Sequence, residues 1–154
     1  KANDLVIESA VNSMKTLNKK AAEKLQDFEP NAVTDVTGFG LIGHLMEICK
    51  NSQVSASINL SEINFFPGAY DLANQGIIPG GSKRNLDHAE NFVNFSGSLS
   101  SIQKLLVCDA QTSGGLLISL PESRANSFIS NFGDRATIIG KIIEKNNYTV
   151  RVNP

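Results

Sequence analysis

Two kinds of apolar segment alternate along this chain. In one, apolar residues recur every three or four positions, as in a helix; the other is a short apolar segment of the length of a β-strand. Helical spacing covers residues 3–25, 40–50, 99–107 and 121–132. Strand-like segments cover residues 32–36, 54–60, 115–120, 136–144 and 148–152. Because the two patterns alternate, we predict an α/β (α+β) fold in which helices cover a mixed β-sheet.

Three details refine this prediction. Thr16 and Asn18 interrupt the first helical segment, whose spacing indicates one buried face, and divide it into two helices. Residues 65–98 are rich in glycine and proline and predict a long loop with one short helix at 69–75. The last two strands, joined by residues 145–147, predict a terminal hairpin.

Size and charge restrict the class of protein. A chain of 154 residues suffices for one domain, which we place at residues 1–154, and its net charge of −1 provides no bulk field for nucleic acid or an anionic membrane. No apolar stretch approaches the roughly 20 residues that span a bilayer, and the two separated cysteines indicate a reducing, cytoplasmic location. Since the chain starts at Lys1 and enters a helical pattern at once, we expect it to be part of a longer protein.

The first chemically informative segment is TDVTGFGLIGH at residues 34–44, where a strand ends in polar residues and glycines lead into a helix. Its GxGxxG pattern also occurs in dinucleotide-binding folds, in which an acidic residue about 20 positions later binds the ribose. Glu62 lies in that range, although the second half of such a fold is missing. Two other interpretations stay open for Asp35. It is either a ligand of a nucleotide-bound Mg²⁺ or a cap that accepts hydrogen bonds from the following turn.

Two further segments combine glycine pairs with polar side chains. In IPGGSKRN at residues 78–85, a Gly-Gly turn presents Lys83 and Arg84, which either bind phosphate oxygens or are merely solvated. In CDAQTSGGLL at residues 108–117, polar side chains adjoin a strand, and the turn is either a phosphate or interface contact or a tight turn capped by Asp109. We call the segments 34–44, 78–85 and 108–117 the first, second and third segments.

The histidines and cysteines are expected to have structural and not catalytic roles. His44 lies on a mostly apolar helix, which indicates a hydrogen-bonded core histidine, whereas His88 is expected to be exposed in the loop. Cys108 has no activating base nearby in sequence, so it is expected to be a buried thiol, as is Cys49. We identify no catalytic residue in this chain.

Together, the three segments resemble the carboxyl-terminal half of selenophosphate synthetase (selenide, water dikinase), and SMKTLNKKAAE at residues 13–23 fits as well. One departure is Ala110, where the family usually carries proline. The resemblance implies an enzyme that converts ATP, selenide and water into selenophosphate, AMP and phosphate. It also implies membership of the aminoimidazole ribonucleotide synthetase superfamily, whose subunits have two α/β domains and form homodimers.

The resemblance also assigns roles to the parts of the molecule. The amino-terminal domain, which this chain lacks, would supply a Cys or Sec, a catalytic Lys and most ligands of ATP and metal. Asp35 matches the magnesium ligand of the carboxyl-terminal domain, which favours the metal interpretation. From their chemistry, we expect seven further side chains to lie near the phosphates or the substrate: Thr34, Thr37, Lys83, Arg84, Gln111, Thr112 and Ser113.

The isolated domain is accordingly expected to bind nucleotide weakly and to turn over nothing. Two alternatives remain at this point: a related ATP-dependent synthetase of the same superfamily, and a non-catalytic nucleotide-binding module.

Overall fold

The computed structural model describes residues 2–133 and 135–154, which form seven α-helices and six β-strands. The helices are α1 (Asp4–Lys15), α2 (Lys19–Leu25), α3 (Gly40–Asn51), α4 (Ala69–Asn74), α5 (Gly80–Ala89), α6 (Ser101–Val107) and α7 (Glu122–Phe132). The strands are β1 (Ala32–Asp35), β2 (Ser55–Asn59), β3 (Val93–Phe95), β4 (Leu116–Ser119), β5 (Gly140–Ile143) and β6 (Val150–Asn153). A single 3-10 turn, Leu60–Glu62, follows β2.

The strands form two sheets. One is a four-stranded mixed sheet in the order β3-β6-β2-β5, in which β6 runs parallel to β3 and β2, and β5 runs antiparallel to β2. The other is a two-stranded antiparallel ladder of β1 and β4. The predicted mixed α/β fold is confirmed, with the β1–β4 ladder as an additional, separate sheet.

The main core lies between α3 and the four-stranded sheet. Ile42, Leu45 and Met46 of α3 are buried in one cluster with apolar residues of β2 and β6. Val107 and Cys108, at the end of α6, belong to the same cluster. This burial fixes the orientation of α3, whose first residues, from Gly40, are the last residues of the first segment.

The division of the first helical segment is confirmed. The α1 helix ends at Lys15 with Thr16 as its C-cap, and Asn18 precedes α2. The expected buried face is wrong for α1, which contains no buried residue, and Leu5 is 77% exposed. The reason is that this helix lies at the periphery, so its apolar side is only half covered.

Two predictions about the middle and the end of the chain are wrong. Residues 80–89 form α5 and residues 93–95 form β3, both within the segment predicted as a loop. Only Ser82 and Ala89 are buried in α5, so the helix has almost no apolar periodicity. The terminal hairpin does not form, because β2 lies between β5 and β6 and pairs with both.

None of the helices within the described ranges is long and apolar enough to cross a membrane.

Candidate functional site

The β1–β4 ladder brings the first and third segments together. Asp35 pairs with Leu116 in the antiparallel register. Beyond the ladder, the Val36 amide donates to the Gly115 carbonyl at 2.9 Å, and the Gly114 amide donates to the Val36 carbonyl at 3.0 Å. The two polar segments therefore run side by side from the carboxyl end of β1.

A second set of contacts joins the turn after β1 to the end of α6. The Thr37 carbonyl accepts hydrogen bonds from the amides of Gly40 and Gln111, each at 3.0 Å. Gly40 has a φ of +69°, and a Cβ there would lie 2.7 Å from the carbonyl oxygens of Cys108 and Asp109. Only glycine permits this close approach of the two backbones.

The second segment joins the other two through α5. The Ser82 hydroxyl, which is fully buried, donates to Asp109 Oδ1 at 2.5 Å and accepts a hydrogen bond from the Ala110 amide at 3.2 Å. The Gln111 side chain donates to Asp109 Oδ2 at 3.2 Å. The Asp109 carboxylate thus accepts hydrogen bonds from Ser82 of a distant helix and from Gln111, and the interpretation as a purely local cap, one of the two alternatives, is wrong.

Asn85, one turn after Ser82, contacts both other segments. Its Nδ2 donates to the Gly38 carbonyl at 2.9 Å and to the Cys108 carbonyl at 3.1 Å. We did not single out Ser82 or Asn85 from the sequence. A signal for them exists, because Ser82, Asn85, Leu86 and Ala89 share one face of a helix by their spacing.

Asp35 is exposed at the end of β1. Within residues 2–133 and 135–154 its carboxylate accepts no hydrogen bond, so the turn-capping interpretation finds no support. Its two oxygens suit Mg²⁺, which prefers oxygen ligands. Over the same residues, no group of three or more His, Cys, Asp or Glu side chains could hold a metal ion. Among the described residues, Asp35 therefore stands as a single exposed carboxylate and not as one of a group of three ligands.

The other residues expected near the phosphates lie in or beside these segments. Thr34 donates to the Asp35 carbonyl at 3.1 Å, and the Thr37 hydroxyl contacts His44 Nε2 at the same distance. Lys83 and Arg84 are exposed in the first turns of α5, so the predicted Gly-Gly turn is wrong and a helix presents both cations. Thr112 and Ser113 are exposed between α6 and β4. Their roles near phosphate stay predictions.

The dinucleotide-binding interpretation of the first segment is wrong. A dinucleotide fold requires β1 and β2 to be parallel strands of one sheet, linked by α3. Here β1 pairs antiparallel with β4, and β2 belongs to the other sheet. The glycines instead permit the approach of the third segment.

The histidines behave as expected. His44 is 7% exposed, and its ring nitrogens contact the Thr37 hydroxyl and, at 3.3 Å, the Glu47 carboxylate. It is therefore a hydrogen-bonded core residue that also supports the turn after β1. His88 is exposed, although on α5 rather than in a loop.

Both cysteines are buried free thiols. Burial raises the pKa of Cys49 to about 11, and burial together with the nearby Glu90 carboxylate raises the pKa of Cys108 to about 12. A nucleophilic thiolate is therefore disfavoured at Cys108 at neutral pH.

We expect both thiols to react with iodoacetamide at pH 8 at least about 100-fold more slowly in the folded protein than in urea, because the thiolate is the nucleophile. Mass-spectrometric peptide mapping measures the two rates separately. Since the folded pKa values are raised, both thiols favour folding below about pH 9 and lose this contribution as the pH rises towards 11 and 12. Rapid native alkylation of Cys108 would contradict its assignment as a structural thiol.

The chain is similar to known proteins over nearly its whole length. A family model described as "AIR synthase related protein, C-terminal domain" matches residues 3–153. Among curated proteins, "Selenide, water dikinase" of Aliarcobacter butzleri is 36% identical over 152 residues, which covers 96% of this chain and 44% of that protein. The protein of the same name from Clostridium botulinum (strain Eklund 17B / Type B) is 42% identical over 142 residues, with coverage of 90% and 41%.

These relatives confirm the resemblance that the three segments predicted. A solved structure, AaThiL complexed with AMPPCP and TMP, is also similar, with a TM-score of 0.49 and 20% identity over 90% of this chain and 34% of that one. The chain spans about two fifths of the length of the two curated relatives. With its family match extending over residues 3–153, the chain belongs to the AIR synthase related proteins, as a carboxyl-terminal domain of that family.

Proposed function

We propose that this chain is the carboxyl-terminal domain of a two-domain selenide, water dikinase, which makes selenophosphate, AMP and phosphate from ATP, selenide and water. The observation that carries the proposal is the convergence of three segments, distant in sequence, at the end of β1. The segments that resemble selenophosphate synthetase are the same ones that Asn85, Ser82 and the Thr37 carbonyl hold together. Hydrogen bonds that hold these particular segments together support a shared function for them.

The remainder of the enzyme would be an amino-terminal domain of the same protein. The resemblance implies that it supplies the Cys or Sec, a catalytic Lys and most ligands of ATP and metal. The Asp35 carboxylate supports the share of this division that falls to the present chain, since it is exposed and accepts no hydrogen bond from the described residues. The proposal includes a homodimer and a cytoplasmic location.

Asp35 is proposed to bind Mg²⁺ together with phosphate oxygens of ATP and ligands of the absent domain. When bound, the metal would neutralise charge that develops on the phosphate oxygens during phosphoryl transfer. The part played by this domain is to fix the backbone of Asp35 at the end of a paired strand. A fixed backbone limits the reorganisation needed to bring the carboxylate to the metal.

Cationic and polar side chains of the three segments would complete the phosphate contacts. Lys83 and Arg84 lie in the first turns of α5, where exposed positive side chains and the helix N-terminus both favour an anion. The Thr34 and Thr37 side chains extend the first segment, and the Gln111, Thr112 and Ser113 side chains extend the third. We propose these residues as phosphate- or substrate-proximal.

The test of the function uses the full-length protein with ATP, Mg²⁺ and selenide under reducing conditions. We expect selenide-dependent formation of AMP and a selenophosphate signal in the ³¹P NMR spectrum. AMP formation that does not depend on selenide would favour a related synthetase. Nucleotide binding without any turnover would favour a non-catalytic module, and either result would refute the proposal.

The isolated domain is expected to be inactive, because Asp35 would lack the other metal ligands and the catalytic groups. Residues 1–154, expressed alone, should show neither ATP hydrolysis nor selenophosphate formation above a blank without protein. The full-length protein at the same molar concentration serves as the positive control. Turnover by the isolated domain would show that the catalytic groups lie within these residues.

A further inference from the structure

We propose that Asn85 is a positioning residue that holds the turn after Asp35 in the geometry needed for metal binding. This inference rests on the function proposed above for Asp35 and goes beyond it. It assigns a role on α5 to a residue that bears no charge and is not itself a ligand.

The contact of Asn85 is specific for a carboxamide. A single nitrogen, Nδ2, donates to the carbonyls of Gly38 at 2.9 Å and Cys108 at 3.1 Å. The amide nitrogen of asparagine carries two hydrogens, so it can serve both acceptors at once. A carboxylate of the same shape would instead place a negative oxygen against two carbonyl oxygens.

The two carbonyls belong to two backbone segments, the turn after β1 and the end of α6, whose relative position Asn85 maintains. Gly38 lies three residues after Asp35, in the turn between β1 and α3. Cys108 is fully buried at the end of α6, in the main core. Asn85 therefore links the turn beside Asp35, by hydrogen bonds, to a residue that is buried in the core.

Side-chain packing offers no support at Gly38 itself, so the hydrogen bond from Asn85 stabilises this part of the turn. Gly38 is exposed, and a Cβ at this position would meet nothing within 4 Å. By contrast, Asn85 is half-buried, and α5 is anchored one turn earlier by the bond between Ser82 and Asp109. In the contact between Asn85 and Gly38, α5 is therefore the anchored element and the turn is the element that the hydrogen bond stabilises.

The chain offers a matched control just beyond the carboxyl-terminal end of α5. Asn91 Nδ2 also donates to two backbone carbonyls, those of Asp87 at 3.1 Å and His88 at 3.3 Å. Its acceptors belong to α5, which ends two residues before Asn91, and lie outside the three segments. Asn91→Ala thus removes the same chemistry without touching the turn.

Three variants of the full-length protein test the inference: Asn85→Ala, Asn85→Asp and Asn91→Ala. Hydrogen–deuterium exchange follows the amides of Gly40 and Gln111, which both donate to the Thr37 carbonyl. We expect these amides to exchange about tenfold faster in both Asn85 variants and at the wild-type rate in Asn91→Ala. Unchanged exchange in the Asn85 variants overturns the inference.

The second measurement is the affinity for Mn²⁺ in the presence of ATP, followed by electron paramagnetic resonance. We expect the affinity to fall about 10-fold in Asn85→Ala and at least as much in Asn85→Asp, as for groups that orient a metal ligand. Wild-type affinity in Asn85→Ala, or in Asn85→Asp, contradicts the proposed role even if exchange is faster. Neither measurement uses turnover, so selenide-dependent AMP formation by the wild-type protein reports separately on the proposed function.

Discussion

Asp35→Asn in the full-length protein is expected to lower magnesium-dependent formation of AMP by at least about 100-fold while leaving the fold intact. Asparagine has nearly the same shape but carries no charge, so it binds a divalent cation far more weakly. The stability should stay within about 0.5 kcal/mol of wild type, because the exposed carboxylate accepts no hydrogen bond within the described ranges.

The measurements are the initial rate of AMP formation over a range of Mg²⁺ concentrations and the free energy of unfolding in urea. Asp27→Asn is the matched control, since Asp27 is also exposed and its side chain forms, among the residues that the structure describes, a single surface ion pair, with Lys24 at 3.6 Å. The control should keep wild-type activity. If Asp35→Asn were fully active but less stable, Asp35 would be a structural cap and the metal role would be lost.

Gly40→Ala is expected to lower the free energy of unfolding by about 2–5 kcal/mol. Two physical costs add up at this position. A φ of +69° is unfavourable for alanine, and the new Cβ would lie 2.7 Å from two backbone carbonyl oxygens that cannot rotate away. To relieve this contact, the turn after β1 would have to separate from the end of α6.

Urea unfolding measures this effect, with Gly38→Ala as the control two residues earlier. A Cβ at Gly38 meets no atom within 4 Å, and Gly38 does not have a positive φ, so the control should lose less than about 1 kcal/mol. Equal losses in the two variants would mean that the close approach at Gly40 does not stabilise the fold. An unfolded Gly40→Ala protein beside a folded Gly38→Ala protein would be the extreme form of the expected result.

The parts of the fold that the sequence predicted are those in which burial follows a local period. In α3, most side chains from Gly40 to Cys49 are buried, so the apolar spacing gave both its existence and its position. The break at Thr16 and Asn18 was also predictable, because short polar residues at these positions favour helix ends. His44 followed from its place on that apolar helix.

The parts that were missed are stabilised by partners far away in the chain. The α5 helix has little apolar character, and its fixed contacts are made by Ser82 with Asp109 and by Asn85 with Gly38, 27 and 47 residues away. The expected terminal hairpin failed because β2, more than 80 residues earlier, pairs with both of the last strands. No local pattern reports such pairings, since their free energy depends on the whole fold.

By itself, the sequence determined the chemistry of this protein: which segments carry carboxylate, cations and glycines, and where helices with a buried face begin. Only the tertiary structure decided that these segments meet, that Asp35 is left without a hydrogen-bond donor among the described residues, and that Asn85 joins two of the segments. The physical reason is that side-chain type and periodicity are local properties. Hydrogen bonds between distant backbones form only when packing of the core has brought those backbones together.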